Sequence, residues 1–412
     1  LHLLSRRQRQ MCIRDSLTTV LINGKFAGRH KGGYTSFKFD ITDLAENGEN
    51  EIFILCEDCV KNPLVIRGKQ SERKKSHNCD YTRTTGIWQT AYLEYTPENY
   101  IKNFRIYPDT ENCNITLHAD FEGTADFNCT AYYGGKEVGS IECKSANGSK
   151  IFQIPLSEKH LWEVGKGRLY DLKLSFGDDV VSSYFGLRSV KLDGFQFLIN
   201  NKSVFQRLVL DQGFYKDGIY TAPSEEDLIN DIKLSTALGF NGARLHQKVF
   251  EPRFLYNCDK MGYIVWGEYA NWGLDYSSPK SLAVFLAEWS EAVNRDFNHP
   301  SIIGWCPFNE TWDYHGRKQY DELLSTVYDY TKAVDSTRPC IDTSGNFHVK
   351  TDIYDVHDYT YDATLFKRNY GRLVTENELY EHVLLDNPGR QKYGGQPVLS
   401  LIHISEPTRP LY

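Results

Sequence analysis

The sequence predicts a multidomain protein in which two β-rich units precede an incomplete eight-stranded β/α barrel of the TIM type. Three observations predict it. Residues 17–95 read as short alternating apolar and polar stretches broken by Gly, Asn and Asp. Residues 96–187 repeat such stretches at the spacing of a β-sandwich, and beyond Arg188 strands alternate with helical segments. A length of 412 residues exceeds what one hydrophobic core usually serves, in agreement with several domains.

In the first unit the strand-like stretches are TTVLING, FKFDITDL, NEIFILCEDC and GIWQTAYLEY; in the second they are ITLHADFEG, FNCTAYY, IFQIPL, YDLKLSFG and VVSSYFGLR, which fit an immunoglobulin-like sandwich. The first barrel strand is RLVLDQG. A helix follows, capped by the Ser224 hydroxyl, with Glu225, Glu226 and Asp227 at its positive end and Gly239 closing it. Then come the strand FNGARLH, the helix PRFLYNCDKMG, the strand YIVWGE and a helix over 281–297. The strand IIGWCPFNE, the helix KQYDELLSTVYDYTKAV and the strands CIDTS, DIYDVHDY and QPV complete the series. Seven strands alternate with helices or loops, and no glycine-rich phosphate loop follows the first, so a barrel explains the pattern better than an open doubly wound sheet.

The two ends differ from everything between them. Residues 1–16, with RRQRQMCIRDS, and residues 399–412, within LSLIHISEPTRPLY, share no periodicity with their neighbours and look like translated sequencing adapter. They are set aside as non-native tails, leaving 17–95, 96–187 and a truncated 188–398 as the expected domains.

Composition excludes several functions. A net charge of -7 and a pI near 6.0 argue against nucleic acid as a partner, because binding phosphates needs a basic face. No apolar run reaches membrane-spanning length and mean hydropathy is -0.50, so no membrane association is expected. Ten cysteines lie scattered without a framework, and the close pair Cys56 and Cys59 has no second pair at zinc-binding spacing. Reduced thiols, no metal and no cofactor are the expectations; localisation is left open, with a cytoplasmic setting favoured over others. Aromatic residues, at 14%, suit both β cores and sugar-stacking surfaces.

Functional groups of such a barrel sit at the carboxyl ends of its strands. Those ends carry Asp211 and Gln212, Arg244 and His246, Glu268, Asn309 and Glu310, then His357 and Tyr359. Glycoside cleavage needs two carboxyl groups, one to protonate the leaving oxygen and one to attack or to activate water. Glu310 is the expected acid/base: it follows the apolar strand IIGW, and burial beside Phe308 and Trp312 is expected to raise its pKa. Glu268 is a second carboxylate, for catalysis or for orienting the substrate.

The stretch DFNHPSIIGWCPFNE, residues 296–310, is similar to the acid/base signature of glycoside hydrolase family 2, in which an Asn-Glu pair ends the fourth barrel strand. FNGARLHQKVFEPRFLYNCDKMGYIVWGE resembles that family's second signature through Asn241, Arg244, Asp259 and Gly262, although Leu245-His246-Gln247-Lys248 replaces the commoner Ser-His-Tyr-Pro. NGKFAGRHKGGYTSFKFDIT and RTTGIWQTAYLEY look like its sugar-binding jelly roll, and YFGLRSV like the exit from its immunoglobulin-like domain.

The resemblance implies a retaining exo-β-glycosidase for terminal β-linked sugars, a β-galactoside or β-glucuronide above all. It implies Glu310 as acid/base, Asn309 on the sugar 2-hydroxyl, and Asp211, Arg244, His246, Glu268, His357 and Tyr359 as sugar or nucleophile contacts. Trp272 and Trp312 would be stacking walls at the leaving-group side. Assembly into homo-oligomers is implied for the full-length protein. Family members carry the nucleophilic Glu just after the seventh strand, where this chain reads GQPVLS and then Leu401. Glu406 imitates the motif but precedes Pro407, so no nucleophile is assigned and the polypeptide is expected to be inactive. The competing reading is a non-catalytic carbohydrate-binding protein.

Overall fold

A computed structural model describes residues 6–12, 17–311, 313–345, 347–360, 362–380 and 390–402. The first unit holds β1 (Arg6–Cys12), β2 (Leu17–Ile22), β3 (Lys25–His30), β4 (Ser36–Asp40), β5 (Ile52–Glu57) and β6 (Tyr92–Thr96). They form two three-stranded antiparallel sheets, in the orders β4-β1-β6 and β3-β2-β5. Val20 and Ile22 from one sheet meet Phe37 and Ile41 to make a small apolar core. Residues 6–12 were set aside as a tail, yet β1 is the central strand of its sheet, with Gln8 opposite both Asp40 and Glu94. A strand placed there satisfies backbone groups on two neighbours, which neither composition nor periodicity reveals.

The second unit is a sheet of β7 (Tyr100–Asp109), β8 (Asn114–Tyr133), β9 (Lys136–Pro155), β10 (Tyr170–Phe176) and β11 (Asp179–Phe185). The order is β11-β10-β8-β7, with β9 along β8. The stretches ITLHADFEG and FNCTAYY, read as separate strands, are the two halves of β8. Its first half pairs with β7 and its second with β10, and the register on β9 breaks between Asp120 and Thr124. One strand thus bends between two sheet faces, and stacked rings fill the angle: Phe121 on Phe176 at 4.5 Å and Phe127 on Phe152 at 4.8 Å.

A short meander of β12 (Val190–Asp193), β13 (Gln196–Ile199) and β14 (Lys202–Ser203) leads into the barrel. There β15 (Leu208–Asp211), β16 (Gly242–Leu245), β17 (Ile264–Glu268) and β18 (Ile302–Cys306) run parallel and adjacent. The series continues with β19 (Phe308–Asn309) parallel to β20 (Thr343–Ser344), then β21 (Tyr354–Asp358) parallel to β22 (Val398–Ile402). Between them lie α1 (Glu225–Ala237), α2 (Pro252–Met261), α3 (Ser281–Asp296), α4 (Asp321–Val334) and α5 (Ala363–Glu376). The Ser224 hydroxyl accepts from the Asp227 amide at 3.3 Å, the cap read from the sequence. Among the described residues no helix is long and apolar enough to cross a membrane.

Phe197 and Ile199 of β13 join Ile264, Trp266, Ile303 and Ile353 in a cluster at the amino end of the strands. Two glycines allow the barrel wall to close tightly around its tryptophans. A Cβ on Gly267 would stand 2.6 Å from a ring carbon of Trp305, and one on Gly304 would overlap the ring of Trp266. Each indole therefore lies flat on the neighbouring strand's backbone, and the pair locks β17 to β18, the strands that end in Glu268 and lead to Glu310.

Candidate active site

The second signature of the sequence is mostly architecture. Asn241 accepts from the Arg207 amide at 2.8 Å and donates to the Phe205 carbonyl at 2.9 Å, clamping the entry to β15. Asp259 accepts from the Ser301 amide at 2.8 Å, from the Tyr184 hydroxyl at 2.8 Å and lies 2.6 Å from His299 Nδ1, tying the sandwich to the barrel. Gly262 ends α2 at φ 67, where a Cβ would stand 2.4 Å from the Lys166 nitrogen. Of the four, Arg244 faces the strand-end cluster.

Arg244 is 3% exposed and joins three strands. Its Nε donates to Glu268 Oε2 at 2.5 Å and its Nη2 to Asn309 Oδ1 at 2.6 Å. The other Glu268 oxygen accepts from the Gln247 amide at 3.0 Å, with His246 Nδ1 also 3.0 Å away. Burial disfavours both charges, but the Arg244–Glu268 attraction prevails: the guanidinium is held still more basic than usual and the Glu268 carboxyl below its ordinary range. Burial lowers the His246 imidazole to about 4.

Asn309 is fully buried. Arg244 holds its oxygen, and the main chain on both sides of its Cα is gripped by Asn271, which accepts from the Asn309 amide at 2.9 Å and donates to its carbonyl at 3.1 Å. Asn271 is itself fixed by Gln247 Nε2 at 2.5 Å. Among the described residues the Asn309 Nδ2 has no acceptor, so a fixed, buried amide is left with unsatisfied N–H groups.

Glu310 follows with φ at +52, unusual for a residue with a Cβ, and its amide donates to the Ser344 carbonyl at 2.8 Å. The side chain is 17% exposed. Its Oε1 accepts from the Tyr359 hydroxyl at 3.0 Å and lies 2.9 Å from His357 Nδ1. His357 is held in turn at Nε2 by Ser344 Oγ at 2.7 Å, and Ser344 donates to Asp355 at 2.7 Å, so a chain of three polar groups backs the carboxyl.

The expectation that burial raises the Glu310 pKa is corrected here. Burial does push it up, but the hydrogen bond and charge of His357 and the Tyr359 hydroxyl outweigh that, and the carboxyl is lowered to about 2. Phe308, expected to line it, stacks instead on Phe285 of α3 at 4.1 Å, on the outside of the barrel. A folded-state pKa below the ordinary 4.5 means that ionised Glu310 adds stability above pH 4.5, and that this contribution is lost as pH falls toward 2. Carbon-detected NMR titration of this carboxyl is expected to show a midpoint near 2; one at or above 4.5 would contradict the His357 and Tyr359 contacts.

The structure brings Arg244, His246, Glu268, Asn309, Glu310, His357 and Tyr359 into one network. Trp272 flanks it, its ring edge-on to His246 at 6.2 Å and its amide donating to Gln247 at 3.0 Å. Asp211 touches it only through backbone, its carbonyl accepting from the His246 amide at 2.7 Å; burial and then Asp231 raise its carboxyl to about 6. Trp312 and Glu406 lie outside the described residues. Gln247, Asn271, Ser344 and Asp355 were missed. Ser344 ends a strand that was recognised, so the strand-end rule would have found it.

A loop of the first unit covers one side of this rim. The Arg67 and Gly68 amides donate to the Trp272 carbonyl at 2.8 and 3.0 Å, Arg67 pairs with Asp80 at 3.1 Å, and Tyr81 stacks on Phe214 at 4.3 Å. The fold is thus a β/α barrel with an Asn-Glu pair, each held by its own partners, at its fourth strand, and with a β unit packed on its rim. Residues 99–188 match the family model described as Glycosyl hydrolases family 2, and residues 190–383 the one described as Glycosyl hydrolases family 2, TIM barrel domain. The chain belongs to glycosyl hydrolase family 2.

Relatives agree. A beta-galactosidase of Lactococcus lactis subsp. lactis is 28% identical over 338 residues, covering 77% of this chain and 31% of that protein. A beta-glucuronidase of Streptococcus agalactiae is 25% identical over 395 residues, covering 87% and 64%. The chain thus spans less than two thirds of either relative. Among solved structures, Bacteroides uniformis beta-glucuronidase 3 shares the fold with a TM-score of 0.78 at 21% identity, over 92% of this chain and 51% of that one. The beta-D-glucuronidase of Dictyoglomus thermophilum does so with a TM-score of 0.75 at 22% identity, over 90% and 70%.

Proposed function

We propose that this site is the acid/base half of a retaining exo-β-glycosidase that removes terminal β-linked sugars of the galactoside or glucuronide type. The observation that carries the reading is Glu310: a partly exposed carboxyl at a strand end, aimed by His357 and Tyr359 and placed directly after a fixed Asn309 with free N–H groups. Relatives named beta-galactosidase and beta-glucuronidase support it.

Glu310 first gives its proton to the glycosidic oxygen and later takes one from water, while Asn309 Nδ2 donates to the sugar 2-hydroxyl as positive charge develops at the anomeric carbon. At a pKa of about 2 the carboxyl is ionised at neutral pH and cannot donate. A second carboxylate roughly 5–5.5 Å away would raise it by like-charge repulsion. Glu268 is not that group, since Arg244, His246 and Gln247 occupy both of its oxygens; it positions Arg244 and thereby Asn309.

The assigned residues therefore provide an acid/base without a nucleophile, and this polypeptide is expected not to turn over substrate. The test is a panel of nitrophenyl β-glycosides assayed with the chain and with Glu310→Gln. Equal background rates are expected; turnover above the variant's background would overturn the assignment of no nucleophile.

A further inference from the structure

Lys69 is a charged residue that the fold buries and the proposed reaction does not use. It lies in the roofing loop, it is 4% exposed, and its Nζ stands 4.2 Å over the centre of the Trp272 ring. Among the described residues no carboxylate is ion-paired with it: Asp80, in the same loop, is paired with Arg67, and Glu268, at the rim, with Arg244 and His246. The aromatic face offsets part of the loss of hydration but supplies no counter-charge. The position is fixed rather than incidental, because the amides of Arg67 and Gly68 anchor the loop to the Trp272 carbonyl.

This ammonium faces the site. Trp272 packs against His246, and Lys69 is among the charges that, after burial, make His246 harder to protonate. His246 in turn acts on Glu310. A fixed cation with no carboxylate paired to it among the described residues, beside the strand-end cluster on a chain whose net charge is -7, would be neutralised by an anion arriving with the substrate.

We infer that Lys69 is a specificity-determining residue that selects substrates carrying a carboxylate or another anionic group at the Trp272 side of the site. The inference rests on the sugar-site reading above. The anion belongs either to the sugar ring, as in a uronide, or to the group it leaves.

Calorimetric titration of the full 412-residue chain separates these sources without needing turnover. One arm compares methyl β-D-glucuronide with methyl β-D-glucoside, the other 4-carboxyphenyl β-D-glucoside with phenyl β-D-glucoside. In one arm the anionic ligand is expected to bind roughly tenfold to a hundredfold more tightly, the size of a charge-assisted contact. Lys69→Met, which keeps the apolar stem, abolishes that ratio, and Lys69→Arg retains it. Equal binding within both pairs, or a preference that survives Lys69→Met, overturns the role of Lys69 and leaves the sugar site standing. If none of the four glycosides binds, the sugar-site reading falls and takes this inference with it.

Discussion

Arg244→Leu is expected to lower the unfolding free energy of the barrel by about 3–5 kcal/mol. Among the described residues the guanidinium is the one cation paired with Glu268 apart from the poorly basic His246, and the Glu268 side chain is fully buried. Removing it leaves a carboxylate uncompensated and strips Asn309 Oδ1 of its donor. Urea unfolding followed through Trp266, Trp289 and Trp305, all buried among the strands and helices of the barrel unit, reports the change. The double variant Arg244→Leu with Glu268→Leu should recover much of the loss, since the penalty comes from the stranded charge and not from the missing attraction. A single-variant loss below about 1 kcal/mol, the scale of an exposed ion pair, would show that water reaches the pair.

The second large effect concerns proton transfer. In a form of this barrel that also carries a nucleophilic carboxylate, Glu310→Gln is expected to reduce kcat by about 10²–10⁴-fold while the amide keeps its place beside Tyr359. The loss should grow as the leaving group becomes more basic, because a nitrophenolate departs with little help and an alkoxide does not. The limb of the pH–rate profile set by the acid should vanish with it. An undiminished rate on alkyl glycosides would remove Glu310 from the proton-donor role and leave it as a structural partner of His357.

Much of this architecture was legible in the chain, and the exceptions have physical causes. The parallel strands of the barrel are buried on both faces, so they stand out as apolar runs, and the polar residue ending each run marks the rim. That logic located Arg244, Glu268, Asn309, Glu310 and His357. It could not give the ionisation of Glu310, because the partners that set it sit 47 and 49 residues away in sequence and reach it only once β21 lies beside β20. Nor could it reveal Lys69, whose meeting with Trp272 depends on one domain folding over another. The bend in β8 was hidden likewise, since it is imposed by different partners along its two halves. Asn241, Asp259 and Gly262 were visible as a pattern, but the pattern did not distinguish residues that hold backbone from residues that meet substrate.

The strand β15 differs from its neighbours in one respect: each of its four residues is only partly covered, whereas β16, β17 and β18 are buried throughout. It is hydrogen-bonded on the β16 side, and β22 at the far end of the series is paired with β21. Among the described residues each of these outer strands is hydrogen-bonded along one edge, and the amides and carbonyls of its other edge form a ladder of the kind that another strand reads as a template. A strand laid along either edge would continue the sheet and satisfy those groups, so the two edges are where this wall can be extended.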